Sequence, residues 1–464
     1  MRRHPPEVVS LATGRAAAPG TMRAMPTVRP FRALRYEPSR VPDIAAVLCP
    51  PYDIISPAEQ QALLERDARN AVRLELPTSP DPADADGRYR AAARTLAEWR
   101  SDGTLRKDPR ASVYVHEMRY REPGSGRERV TRGAMVRLRL AAFGPESDVR
   151  PHERTMSGPK EDRYRLLKAT GTNLSPIVFV QEDSAAADVI ATVTAGAPTV
   201  EATDHDGIHH RLWACPTAGE GEPPGAAEAL VTAITGRPLT IADGHHRYET
   251  ALRYREERSK NQACESDPPY DYVLALVYDV ADAPALLATH RLIHELPAGG
   301  AGLLGAAADL FQVERVADAV DLLARMSRPS AGAGAGGRGR FGVWTQDGGA
   351  ILTVRRDQMS PLLDAAVPEA ARWIDAAVLA AALGPLAGID AVALVGGERV
   401  TYTKDAADAI AQVDEGRADA AFLLDPTPVA DVIRVADVGG VMPQKSTYFF
   451  PKAPTGLLFN PLEP

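Results

Sequence analysis

Cysteine is scarce in this chain of 464 residues, which has only Cys49, Cys215 and Cys264. Cysteines so far apart in sequence exclude a disulfide framework and a cysteine-ligated zinc site, and they favour a reduced, cytoplasmic setting. Long apolar runs are also missing, since no run approaches the ~20 residues that a transmembrane helix needs. We therefore expect no membrane partner.

An excess of basic charge is missing as well. The chain has 53 Lys and Arg residues against 61 Asp and Glu residues, which gives a formal net charge of -8. Nonspecific nucleic-acid binding needs a basic face, and no helix-turn-helix with a basic recognition helix is visible. We therefore expect no nucleic-acid partner, although local basic sites for phosphate stay open.

Several familiar catalytic motifs are absent. The chain has no G-x-x-x-x-G-K-S/T string, which excludes a P-loop nucleotide triphosphatase. It has neither a G-x-S-x-G elbow nor the HRD and DFG strings of protein kinases. The H-E-x-x-H motif is missing too, because His116-Glu117 and His152-Glu153 lack a second histidine at the required spacing.

The composition that remains is that of an ordinary globular protein, with 45% hydrophobic and 25% charged residues. Alternating segments at Ala111–Tyr120 and Arg129–Leu140 predict a hairpin, and the continuous apolar run Tyr272–Tyr278 predicts a buried strand. A helix is predicted over Tyr248–Lys260. Because strands and helices mix irregularly, we predict an α+β fold with mixed sheets rather than a doubly wound sheet.

The chain divides into four predicted segments. Residues 1–27 are expected to be a disordered extension, or to precede a true start at Met22 or Met25. Residues 28–329 form the main α+β domain, and 330–340 form a glycine-rich flexible loop. Residues 341–464 form a C-terminal α+β part that packs back on the main domain.

Histidines concentrate in the string IADGHHRYETAL, where a strand is predicted to run through Gly244 into a helix. Glycine permits a tight turn, and a helix start offers free N–H groups to an anion. Arg247 adds a planar fork that suits phosphate oxygens, and His245 is a candidate base. The string therefore predicts a phosphate or nucleotide site, including His246, unless Asp243 merely caps the helix and the histidines pack locally.

A second charged cluster lies between Arg150 and Pro176. Lys160 and Arg163 are candidates for binding phosphate, and Glu153 or Asp162 is a candidate base or Mg²⁺ ligand. A solvated helix face explains part of this charge equally well. Asn173 and Ser175 either line a pocket or cap a turn.

A third cluster lies in the string VMPQKSTYFFPKAPTGLLF near the C-terminus. Lys445, Ser446, Thr447 and Lys452 form a basic, hydroxyl-rich group that suits an anion. The alternative is a C-terminal arm that docks its aromatic side chains into the core.

Several of these strings together resemble a known bacterial family. The strings RPFRALRY, CPPYDIIS, RPHERT, ADGHHRYETA, VGG and VMPQKSTYFFPKAPTGLL follow the order expected for domain of unknown function ten-fifteen. The resemblance covers about Val28 to Phe459. The glycine-rich segment and the N-terminal extension depart from the pattern without touching these strings.

The string ADGHHR also resembles the phosphate-contacting turn of the ParB/sulfiredoxin-like superfamily. That group includes nucleotide-binding ParB proteins and a free-serine kinase that makes phosphoserine. Gly244 and Arg247 occupy the places of its Gly-x-x-Arg turn, which contacts nucleotide phosphates. The resemblance implies a ParB/sulfiredoxin-like nucleotide-binding core but no established reaction. We predict phosphoryl transfer between a nucleotide, ATP or ADP, and a small hydroxyl substrate such as serine, or the reverse phosphatase reaction.

The predicted roles follow from this chemistry. Glu153 or His245 accepts the substrate proton, and Asp243 or Glu153 binds Mg²⁺, while the remaining predicted site residues bind phosphate or assist catalysis: Gly244, His246, Arg247, Lys160, Arg163, Lys445, Ser446, Thr447 and His152. Two alternatives stay open. One is a nucleotide-binding regulator without rapid turnover, and the other is a metal-dependent hydrolase that uses Asp243 and three histidines, His152, His245 and His246. A homodimer is possible.

Overall fold

The structure is a computed structural model that describes residues 25–463 apart from 82, 85, 154–156, 183–184, 262–265, 297–299, 301, 329–338, 391–393, 395–396 and 398. Most of the predicted N-terminal extension and of the glycine-rich loop lies outside these residues, as does Cys264. Cys49 and Cys215 are both buried, and neither forms a disulfide bond.

Most strands of the described residues are short. In chain order they are β1 Val28–Arg29, β2 Leu34–Tyr36, β3 Leu105–Lys107, β4 Ser112–Arg121, β5 Glu128–Arg139, β6 Val149–Arg150, β7 Thr172–Asn173, β8 Ile177–Gln181, β9 Val200–Thr203, β10 His209–Pro216, β11 Leu239–Asp243, β12 Tyr272–Asp279, β13 Ala285–Leu286, β14 His290–Ile293, β15 Phe311–Arg315, β16 Arg340–Thr345, β17 Gly348–Val354, β18 Val400–Thr403, β19 Ala420–Leu423, β20 Phe449–Phe450 and β21 Asn460–Pro461.

The α-helices of the described residues are interspersed among these strands. They are α1 Pro57–Arg66, α2 Val72–Glu75, α3 Gly87–Ser101, α4 Ser157–Thr170, α5 Ala186–Thr194, α6 Ala226–Ile234, α7 His245–Asn261, α8 Leu303–Ala306, α9 Ala319–Met326, α10 Arg356–Met359, α11 Glu369–Arg372, α12 Asp375–Ala387, α13 Ala406–Asp414 and α14 Val429–Asp437.

A nine-stranded mixed sheet forms the centre of the first part of the chain, in the order β6-β11-β8-β12-β5-β4-β10-β9 with β1 beside β5. The strands β11 and β6 are parallel, as are β12 and β8, whereas β4 and β5 form an antiparallel hairpin. Strand β12 lies between β8 and β5 and is buried almost throughout. Its central position explains its continuous apolar run, because both of its faces are covered.

The two faces of this sheet are covered differently. On one face, apolar side chains of α5, α6 and α7 pack on the strands, with Ile190, Leu230 and Tyr248 all buried. On the other face, the sheet contacts residues 441–459, here called the C-terminal segment, through Phe449 and Leu458. The C-terminal segment therefore reaches the strand that leads into the DGHHR string.

A second, six-stranded sheet has the order β15-β17-β16-β19-β14-β18 and is antiparallel throughout. Its core is apolar and includes Phe311, Phe341 and Phe422 together with side chains of α12. Strand β14 precedes the glycine-rich segment in sequence but lies in this sheet. Conversely, β20 and β21 pair with β13 and β7.

These elements confirm the predicted α+β class, the hairpin and the buried strand. Residues 28–36 contain two short strands rather than one, because β1 pairs with β5 and ends before Pro30, whereas β2 pairs with β3. Proline has no N–H to donate to a sheet. Among the described residues, no helix combines the length and the apolar character needed to cross a membrane.

Candidate functional site

The DGHHR string forms a strand, a one-residue turn and a helix. Strand β11 ends at Asp243 and α7 begins at His245, earlier than the sequence predicts, with Gly244 between them at φ +96°. Glycine adopts this conformation without steric cost. A Cβ on Gly244 would lie only 3.1 Å from Nε of Arg247. Glycine therefore permits both the turn and the close approach of the arginine.

Asp243 is the centre of a buried charge cluster. Arg247 donates to its Oδ2 at 2.6 Å, and Nζ of Lys452 contacts its Oδ1. Burial by itself raises the pKa of Asp243, but Lys452 and Arg247 outweigh burial and lower the pKa to about 2. Asp243 is therefore a carboxylate with one cation on each oxygen.

The Arg247 side chain lies against the turn at Gly244, and its terminal nitrogens contact protein groups. Besides Asp243, it donates from Nη1 to the hydroxyl of Ser175 at 2.9 Å and to the carbonyl of Pro176 at 2.6 Å. Ser175, which the sequence assigned to a pocket or a turn, thus helps to hold this arginine. The guanidinium ties the start of α7 to the segment before β8.

His152 and His245 come from motifs far apart in sequence and lie in contact. Their ring centres are 4.6 Å apart, and the backbone N–H of His152 donates to Nε2 of His245 at 3.3 Å. Nδ1 of His152 lies 2.6 Å from the carbonyl of Ile241, and its Nε2 lies 3.0 Å from Oγ1 of Thr447. Burial lowers the pKa of His152 to about 4 and holds that of His245 well below its ordinary value. Both rings are therefore neutral near pH 7.

Glu153 joins the second and third motifs. It forms a parallel β-bridge with Met442, whose N–H donates to the carbonyl of His152 at 2.8 Å. Burial raises the pKa of Glu153 to about 7, although Lys445 and Lys452 lower it. A carboxyl group of this pKa exchanges a proton readily near neutral pH.

Three predicted residues of the C-terminal segment, Lys445, Ser446 and Thr447, lie in different environments. Lys445 is exposed and has φ +57°. The Ser446 hydroxyl is buried and donates to the carbonyl of Pro443 at 2.5 Å. Thr447 instead faces His152. Of the two adjacent hydroxyls, Thr447 therefore lies against the imidazole.

Lys160 lies on α4 and pairs with Glu249 of α7, with Nζ 2.9 Å from Oε2. Burial lowers the pKa of His246, and Lys160 is among the charges that lower it further. Lys160 and His246 therefore lie near the first two turns of α7, at the rim of the site.

Arg163, also on α4, is buried. Its guanidinium donates to Asp162 and to the carbonyl of Glu75 at 2.7 Å, and it lies 4.0 Å from the centre of the Tyr52 ring. It shares with Arg247 the lining of a cavity of about 50 Å³. This placement differs from the predicted contact with phosphate, because protein groups enclose the guanidinium.

Two residues of the site, Lys404 and Asp53, were not singled out from the sequence, and Lys452 was named in the third cluster without a role of its own. Nζ of Lys404 lies 3.7 Å from the centre of the Tyr448 ring, and Nζ of Lys452 lies 4.9 Å from it. The exposed carboxylate of Asp53, in the string CPPYDIIS, raises the pKa of Lys452 together with Asp243 against burial. The occurrence of Lys452 and Asp53 inside the quoted family strings was the available signal. Lys404 lies outside those strings.

The residues predicted to bind Mg²⁺ do not fit a resident ion. Asp243 already has a cation on each oxygen, and Glu153 is a carboxyl group that is half protonated at about pH 7. In the part of the chain that the structure describes, no group of three or more His, Cys, Asp or Glu side chains is arranged to hold a metal. A metal-dependent hydrolase centred on these histidines therefore gains no support.

With this geometry established, the family can be assigned. The family model described as "Protein of unknown function (DUF1015)" matches residues 28–377, which is most of the chain. The chain belongs to the DUF1015 family. This match confirms the predicted family and includes the motifs around His152 and Gly244, whereas the C-terminal string of the DUF1015 protein lies beyond the matched residues. No curated protein matches the chain.

Solved structures similar to this DUF1015 protein share little sequence with it. A conserved hypothetical protein from Pyrococcus furiosus is 12% identical, with a TM-score of 0.32 and coverage of 66% of this chain and 90% of that chain. A free serine kinase in complex with AMP is 11% identical, with a TM-score of 0.32 and coverages of 65% and 83%. SbnI with a C-terminal truncation, from Staphylococcus aureus, is 10% identical, with a TM-score of 0.33 and coverages of 68% and 84%. At these TM-scores the likeness carries no functional argument.

Proposed function

We propose that this DUF1015 protein transfers a phosphoryl group between a nucleotide, ATP or ADP, and a small hydroxyl metabolite such as serine. The observation that supports this most is the meeting of three motifs at the start of α7. Lys445 and Lys452 approach Glu153 and Asp243 there. A helix start with adjacent cations is a favourable site for phosphate oxygens. The reverse phosphatase reaction would use the same groups.

Binding of the phosphates is assigned to the turn at Gly244 and the first turn of α7, which includes His246. We assign Lys445 and Lys160 to neutralising charge on the transferred group, and the exposure of Lys445 and the partial exposure of Lys160 support this assignment. Neutralising that charge is the main catalytic requirement in phosphoryl transfer. We assign Arg247 and Arg163 to positioning, because protein groups contact their guanidiniums. The ParB/sulfiredoxin-like character of this turn belongs to the same proposal.

Glu153 is the better of the two candidate proton acceptors. Its pKa of about 7 lets it take a proton from a hydroxyl substrate near neutral pH. His245 is less suitable, because its Nε2 already accepts a hydrogen bond from the backbone N–H of His152. Mg²⁺ enters the proposal only as the counterion of the nucleotide phosphates.

The first test is nucleotide binding by isothermal titration calorimetry with ATP and ADP, in the presence of Mg²⁺. We expect Lys445→Met to weaken binding about ten-fold, as loss of one charge-assisted contact predicts. The control is Lys168→Met, which removes the same charge from an exposed lysine on α4 that pairs with Glu257. Equal affinity in the two variants, or no binding by the unmodified protein, would contradict the proposal.

Turnover separates the proposal from the regulatory alternative. The protein is incubated with ATP and serine, and separately with ADP and phosphoserine, and the products are measured. Binding without nucleotide consumption would favour the nucleotide-binding regulator. The cytoplasmic location and the homodimer stay predictions.

A further inference from the structure

His152 has one defined tautomer. A carbonyl oxygen only accepts hydrogen bonds, so the 2.6 Å contact with Ile241 requires the proton on Nδ1. Nε2 then has only its lone pair, and it points at Oγ1 of Thr447 at 3.0 Å. The Thr447 hydroxyl therefore donates to a neutral imidazole, which is the arrangement that activates a hydroxyl nucleophile.

The surroundings favour attack by this hydroxyl. His152 is fully buried, and burial lowers its pKa to about 4, so Nε2 is unprotonated near pH 7. Thr447 is only half-buried, and the exposed Lys445 lies two residues before it. Ser446 offers a second hydroxyl but is bound to the carbonyl of Pro443. Only one of the two neighbouring hydroxyls thus has both a base and access to solvent.

We propose that Thr447 is the nucleophile of a covalent step and carries the phosphoryl group as a phosphothreonine. This inference rests on the proposed function for its donor, a nucleoside triphosphate. The Thr447 Oγ1–P bond forms while the bond between the terminal phosphorus and the bridging oxygen breaks, and the nucleoside diphosphate leaves. The Thr447 proton passes to Nε2 of His152.

The second half of the reaction restores the protein. The hydroxyl of a small acceptor, or water, attacks the phosphorus and loses its proton to Glu153, which then releases that proton to solvent. The P–Oγ1 bond breaks, and Thr447 takes back the proton from His152. No oxidant or reductant is needed, and each half transfers one phosphoryl group. Lys445 and the start of α7 stabilise the charge on phosphorus in both halves.

The test is phosphorylation of the full chain by ATP with Mg²⁺, measured by intact mass and located by peptide mapping. We expect one phosphoryl group on Thr447, retained in Thr447→Ser and lost in Thr447→Val. Removal of the base in His152→Gln should slow labelling about a hundred-fold.

The chain offers a matched control in a second histidine–threonine pair. Oγ1 of Thr401 lies 2.8 Å from Nε2 of His294 in the six-stranded sheet. We expect Thr401→Val to be labelled normally at Thr447. Circular dichroism on each variant checks folding, and Thr447→Ser keeps the inference testable if Thr447→Val does not fold.

A second phosphoryl donor separates this inference from the proposed function. Acetyl phosphate is an acyl phosphate that contains no nucleotide, so it tests Thr447 even if no nucleotide binds. Labelling of Thr447 by either donor supports the inference. Phosphorylation of serine by ATP with no label on Thr447 would overturn the nucleophile but leave the proposed function intact. Absence of label with both donors would overturn the inference outright.

Discussion

The two large sheets differ in the number of cations that pair with one largely buried carboxylate. At the end of β11 in the nine-stranded sheet, the carboxylate of Asp243 has two cations, Arg247 and Lys452. In the six-stranded sheet, Asp425 pairs with Arg340. The exposed fractions are similar, 13% for Asp243 and 15% for Asp425. Among the described residues, the two sites therefore differ in the number of cations beside one carboxylate, which is two at Asp243 and one at Asp425. A binding site for an anionic ligand requires several cations close together.

Two buried histidines also differ, in the hydrogen bonds that their ring nitrogens make. His152 and His290, one at each sheet, both have a pKa of about 4, because both are buried. Nδ1 of His290 accepts a hydrogen bond from the N–H of Leu424, whereas Nδ1 of His152 donates to a carbonyl and leaves Nε2 facing a hydroxyl. A low pKa alone thus does not distinguish a reactive histidine from a packed one.

The largest expected effect comes from Asp243→Asn. This change leaves Arg247 and Lys452 buried beside each other without the carboxylate, which should cost about 3–5 kcal/mol of unfolding free energy. Asp425→Asn removes the partner of one arginine and should cost about 1–2 kcal/mol. Urea denaturation of both variants measures the difference. Equal losses would show that the two clusters are energetically alike.

A smaller effect is expected from Gly244→Ala. Gly244 and Gly348 both have φ +96°, but a Cβ on Gly348 meets nothing within 4 Å. Gly348→Ala should therefore cost only backbone strain, about 1–2 kcal/mol. Gly244→Ala should cost about 1 kcal/mol more, because its Cβ displaces Arg247, and it should also weaken nucleotide binding. A change in affinity of the same size in Gly348→Ala would contradict this reading of the turn.

A third effect is a dependence of stability on pH through Glu153, which appears only as the pH is raised. Its pKa is raised from 4.5 to about 7 in the folded protein. Between these values the folded state binds more protons than the unfolded state, so stability falls as pH rises. Glu153→Gln should remove this loss, which amounts to about 3 kcal/mol over the whole range.

The control for this measurement is Glu314→Gln in the six-stranded sheet, where the carboxylate is exposed and paired with Arg325. The unfolding free energies of both variants and of the unmodified protein are measured from pH 4 to pH 8. Glu314→Gln controls for the loss of one negative charge, because it removes an exposed carboxylate from the other sheet. A parallel profile for Glu153→Gln and the unmodified protein would argue against a raised pKa.

Local sequence patterns predicted much of this molecule. The hairpin of β4 and β5 and the glycine turn after Asp243 were predicted because they depend on residues only a few positions apart. The cap that Ser56 gives α1 by accepting from the N–H of Glu59 is equally local. The meeting of the three motif clusters is a tertiary property, and no spacing rule could supply its distances.

The sequence by itself determined the family, the α+β class and the residue types available for chemistry. The tertiary structure decided which of those residues face each other. It joined Lys452 to Asp243, 209 positions away, turned Thr447 rather than Ser446 towards His152, and enclosed Arg163. The physical reason is that turns and caps depend on neighbours along the chain, whereas burial, pKa and ion pairing depend on groups that only packing brings together.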